Sequence, residues 1–202
     1  MMAVGMAVTT LGGCGDDDSE NARSVTTTPE TQAVTSEPTG DSKEFRSALF
    51  VPSFSMKLPA GWTVAERGVD LAQAYKFCSS CLHEGEENGE ITIGTDLSSQ
   101  PPAEAAAHVV TAQTGTAGPI EPVQVASYTG THVAITRPGT TELSFTDNGY
   151  HTEATGDPVD LYFIDVDGKT LSILVDAHTA SGADAAAFRE VVAEILNSLS
   201  FG

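Results

Sequence analysis

Val159-Asp160-Leu161-Tyr162-Phe163-Ile164-Asp165-Val166-Asp167-Gly168-Lys169-Thr170-Leu171-Ser172-Ile173-Leu174-Val175 is the stretch that decides the fold. Val159, Leu161 and Phe163 recur at every second position, and so do Leu171, Ile173 and Val175. That alternation is the signature of a strand with one buried face. Between the two runs stands Asp167-Gly168, a dipeptide that accepts the positive φ angles of a two-residue type I′ turn. The expectation is a long antiparallel hairpin. After it the period changes. Ser181-Gly182-Ala183-Asp184 resembles a capping box with Asp in place of Glu. Phe188, Val191, Val192, Ile195 and Leu199 then recur at i, i+3, i+4, i+7 and i+11, an apolar helical stripe that must lie against the sheet.

Working upstream, the same two-residue period returns. Phe54, Met56 and Leu58 share a face of a strand that stops at Pro59-Ala60-Gly61-Trp62, where Trp62 reads as a core plug. Ala72, Ala74 and Lys76 alternate with Gln73, Tyr75 and Phe77, and Ile91 and Ile93 mark a further strand entered through Asn88-Gly89. Val123 and Val125 with Val133 and Ile135 predict a hairpin around Thr129-Gly130-Thr131, and Leu143 and Phe145 run into a turn at Asp147-Asn148-Gly149. Pro101-Pro102 can open a helix with Ala103, Ala106, Ala107 and Val110 on one side. Strands outnumber helices and hairpins dominate the connections. The fold class is therefore α+β, a largely antiparallel sheet with packed helices.

The chain has 202 residues, with 28 Asp+Glu against 9 Lys+Arg for a formal net charge of -19. Such a balance repels phosphate backbones and anionic headgroups and argues against nucleic-acid binding and against electrostatic adhesion to membranes. No uninterrupted apolar run approaches the ~20 residues that span a bilayer. Three parts are expected: a signal segment over 1–13, a lipidated cysteine with an acidic Ser/Thr/Pro-rich tether over 14–46, and one domain over 47–202. From Gly15 to Arg46 there are eight acids, three bases and almost nothing able to form a core, which is the composition of a disordered spacer. Its ~32 residues give a root-mean-square reach on the order of 30 Å. The remaining segment is long enough to fold alone, burying about 68–70% of its unfolded surface.

Leu11-Gly12-Gly13-Cys14 resembles the lipobox of bacterial lipoproteins, in which a peptidase cuts before the cysteine. The resemblance implies that Cys14 becomes the mature N-terminus and carries a thioether-linked diacylglycerol with palmitate-type chains. Composition switches from small and apolar to acidic at that residue. Signal peptides usually open on a basic stretch, whereas the first base here is Arg23. A start codon placed downstream of the true one accounts for the difference, and a cytosolic chain with an apolar N-terminus is the competing reading. Phe54-Ser55-Met56-Lys57-Leu58-Pro59-Ala60-Gly61-Trp62-Thr63-Val64 and the terminal hairpin plus helix, Tyr162 to Phe201, resemble PsbP-like domains. That family includes an extrinsic photosystem subunit and many actinobacterial lipoproteins. The resemblance implies a PsbP-like sandwich of antiparallel sheet and helices, without shared catalytic residues.

The cluster with chemistry in it is Cys78-Ser79-Ser80-Cys81-Leu82-His83-Glu84. In an oxidising envelope Cys78 and Cys81 pair as a disulfide and leave Cys14 for lipid, so the three cysteines partition without remainder. So short a loop removes only about 2 kcal/mol of unfolded-chain entropy, a local staple. A thiol-disulfide enzyme would need a helix N-terminus and positive charge beside the first thiol, yet Glu84, Glu86 and Glu87 surround the pair. A zinc-dependent interaction module could use Cys78, Cys81 and His83 as weak candidate ligands but lacks a spaced fourth donor. His132, His151 and His178 are isolated and read as strand-surface residues. Asp165-Val166-Asp167-Gly168 has only a faint calcium-loop character. No nucleophile elbow, zinc-protease helix or phosphate loop occurs, so no catalytic residue or cofactor is implied. The expected function is a non-enzymatic lipoprotein, lipid-anchored in the bilayer on the extracytoplasmic face of the cell membrane, that binds an envelope protein or a lipid-like hydrophobic ligand.

Overall fold

The computed structural model describes residues 42–77, 87–95, 99–112, 115–136, 141–144, 151–154, 158–177 and 182–202. In chain order the first strands are β1 (Lys43–Arg46), β2 (Phe54–Leu58), β3 (Trp62–Glu66), β4 (Leu71–Phe77) and β5 (Glu87–Gly94). Helix α1 (Pro102–Ala112) is followed by β6 (Thr116–Ala117), β7 (Glu121–Val125), β8 (Tyr128–Thr136), β9 (Thr141–Ser144) and β10 (His151–Ala154). Then come β11 (Val159–Val166), β12 (Lys169–Asp176), α2 (Gly182–Asn197) and β13 (Ser200–Phe201).

The β11–β12 hairpin forms as its sequence requires. Val166 pairs with Lys169 across the turn, and Asp167 and Gly168 take φ angles of 54° and 78°. Asp165 accepts a hydrogen bond from the Gly168 N–H at 2.8 Å, which gives its carboxylate a turn-closing role instead of a calcium ligand's. The tight turn also sets parity. Leu161 lies opposite Leu174, whereas Leu171 lies opposite Ile164. The two apolar triplets therefore face opposite sides of the sheet, and both strands are buried on both faces.

Around this hairpin an antiparallel sheet runs in the order β3-β4-β5-β12-β11-β8-β6, with β7 also paired to β8. One face packs on α1 through Ala105, Ala106 and Val109 against Val133, Ile135, Val159, Leu161, Phe163 and Leu174. The opposite face meets α2 and a small sheet ordered β1-β2-β13, and Phe54, Met56, Leu58, Ile91, Ile93, Ile173, Phe188, Val192 and Ile195 share one core there. Mostly antiparallel strands with two packed helices are what the sequence predicts.

Four local expectations are corrected. Asn88-Gly89 is not an entry turn: both residues lie inside β5, beside a register shift at Lys76/Phe77. At Gly89, φ is 153° and a Cβ would overlap the Asp176 carbonyl oxygen on β12 and the Phe188 ring, whose Cζ is 2.6 Å from that point. The β7–β8 turn is at Ala126-Ser127 instead of Gly130, with Ala126 at φ 52°. Gly130 sits within β8, and a Cβ there would overlap the Phe163 carbonyl oxygen on β11. Helix α1 buries Ala105, Ala106 and Val109 while Ala103 and Ala107 stay exposed. In an alanine-rich helix the pattern alone cannot choose the face. Trp62 opens β3 instead of plugging the end of β2, half-buried and stacked on Phe188 with centroids 5.8 Å apart.

Two glycines give a paired test. Gly130→Ala must push strand backbones apart and should cost about 3 kcal/mol or more, above the usual overpacking range. Gly168→Ala has open space around it and should cost only about 1–2 kcal/mol of left-handed strain. Urea unfolding of both variants measures the difference.

Candidate functional site

Cys14, Cys78, Cys81, His83 and His178 lie outside the described residues, and so do Ser181 of the expected helix cap and the turn at Asp147-Asn148-Gly149. The strands flanking that turn, β9 and β10, pair antiparallel, and His151 belongs to β10. Among the described residues no group of three or more His, Cys, Asp or Glu could hold a metal ion. No helix among them is long and apolar enough to cross a membrane. A shallow groove runs along the outer side of α1 past Gln100, Glu104, His108 and Thr111.

His132, isolated in the sequence, is not isolated in the fold. The register of β8 on β11 sets it opposite Tyr162, with rings 4.7 Å apart, and opposite Glu121 on β7. Its Nε2 lies 2.9 Å from Asp160 Oδ1. An ionised carboxylate only accepts, so Nε2 carries the proton in this contact. From α2, Arg189 Nε donates to Asp160 Oδ2 at 3.0 Å and Arg189 Nη2 donates to the Pro158 carbonyl. Burial pushes the Asp160 carboxyl up, but the hydrogen bonds and charges of His132 and Arg189 outweigh it and hold it below its ordinary value. Burial, then the Asp160 charge, pushes the Tyr162 hydroxyl up to about 12. Both Asp160 oxygens are engaged, so the group is a brace that ties α2 to the sheet. Asp160 and Arg189 are 29 residues apart, and a β11–α2 docking geometry that no spacing rule specifies brings them together.

A second arrangement shapes the surface. Glu66, at the end of β3, accepts N–H bonds from Ala48, Leu49 and Phe50 at 2.9–3.1 Å. Burial raises the Glu66 pKa and these three donors outweigh it, leaving the carboxyl below its ordinary value. Beneath the clamp Phe50 is buried edge-on against Phe54, centroids 5.2 Å apart. With Phe50 plugged inward, its neighbours Leu49 and Val51 must point away. The Val51 N–H bonds the Val69 carbonyl at 2.7 Å, bringing the β3–β4 turn alongside. Leu49, Val51 and Val69 are consequently 54%, 58% and 61% exposed, a fixed aliphatic patch.

Removing either anchor has a measurable effect. Arg189→Ala leaves a buried carboxylate half-satisfied and should cost about 2–3 kcal/mol in urea unfolding. Because the folded Asp160 pKa is depressed, its contribution is complete above the ordinary Asp range and disappears as pH falls through the folded value. The stability gap between wild type and Asp160→Asn should therefore shrink below about pH 4. Glu66→Gln should cost about 1 kcal/mol and speed amide exchange at Ala48, Leu49 and Phe50 about fivefold, read by NMR.

No family model and no curated protein matches the chain. Among solved structures it is similar to the solution structure of cyanobacterial PsbP (CyanoP) from Synechocystis sp. PCC 6803, with a TM-score of 0.44 and 10% identity, over 81% of this chain and 95% of that one. No residue role carries over from that likeness.

Proposed function

We propose that the chain is an extracytoplasmic lipoprotein, anchored by acyl groups on Cys14, whose domain is a non-enzymatic binding module for an envelope protein or a hydrophobic ligand. The observation that carries the binding part is the aliphatic patch. Leu49, Val51 and Val69 are held outward by the Glu66 clamp and the Phe50 plug. Scattered exposed apolar residues need no explanation, and it is the grouping of these three on one ordered loop and turn that supports reading them as a contact surface. The charged cluster at Asp160, by contrast, spends its hydrogen-bonding capacity on itself. Kinship with PsbP-like domains belongs to the same proposal and rests on the Phe54–Val64 motif and the terminal hairpin and helix.

The anchoring part rests on Cys14 and the acidic spacer after it. Two acyl chains at ~0.8 kcal/mol per buried methylene hold a protein stably where one chain is marginal. Cys78 and Cys81 then form a structural bond.

Intact mass of protein extracted from the native membrane should show a diacylated species beginning at Cys14, and an unmodified N-terminus in the cytosolic fraction refutes the anchor. The Cys78–Cys81 couple should titrate below about -300 mV, as structural disulfides do. A potential near those of thiol-disulfide enzymes would instead make the pair catalytic.

A further inference from the structure

We draw no further inference here: the strongest candidate, the buried carboxylate pair of Glu90 and Asp176 set opposite each other on the adjacent strands β5 and β12, is an acidic cluster beside which nothing among the described residues points to a ligand.

Discussion

Everything in the domain hangs on the parity of one hairpin. A two-residue turn at Asp167-Gly168 pairs Val166 with Lys169, and a side-chain period of two then sends Leu161 and Leu171 to opposite faces. A turn one residue longer, taken from β12, would put both triplets on the same side and mix Asp160, Tyr162, Thr170 and Ser172 with Ile164 and Leu174 on the other. As built, the central strands present hydrocarbon in both directions, and each face must be covered. Helix α1 covers one, and α2 with the small sheet covers the other. The two-sided core is the consequence of a turn, not of composition.

Covering both faces makes polar groups on the central strands expensive, since an unpaired buried carboxylate costs several kcal/mol. Asp160 is such a group, and the helix that buries it also neutralises it through Arg189. The same docking wedges Phe188 over Gly89 and under Trp62. Electrostatic and steric fit thus select one placement of α2. At the other end of the domain a single carboxylate, Glu66, orders a loop by gathering three N–H groups, and the inward turn of Phe50 drives its neighbours into solvent. The aliphatic patch is thus a by-product of core packing that the clamp makes permanent. Ordering costs would otherwise tax every contact it made.

Much of the fold was legible from the chain. Hairpin periodicity, the Asp-Gly turn and the stripe from Phe188 to Leu199 are local features whose physics needs no partner. Glycine misled where the reason for it was remote. Gly89 and Gly130 look like turn residues because turns are the local use of glycine, but a carbonyl of β12 with a ring of α2, and a carbonyl of β11, are what exclude side chains there. The face of α1 was undetermined for a similar reason: its alanines are equivalent until Val133, Ile135 and Leu161 choose among them.

The sequence by itself determined the antiparallel α+β class, the helix stripe and the acidic, Ser/Thr-rich composition of the segment after Cys14, because spacing and composition are local quantities. Only the tertiary structure decided that His132 and Arg189 both meet Asp160, and that Leu49, Val51 and Val69 stand exposed together. Those groupings join residues far apart in the chain, through strand register and helix docking. Such distances are set by the whole core and by no segment of it.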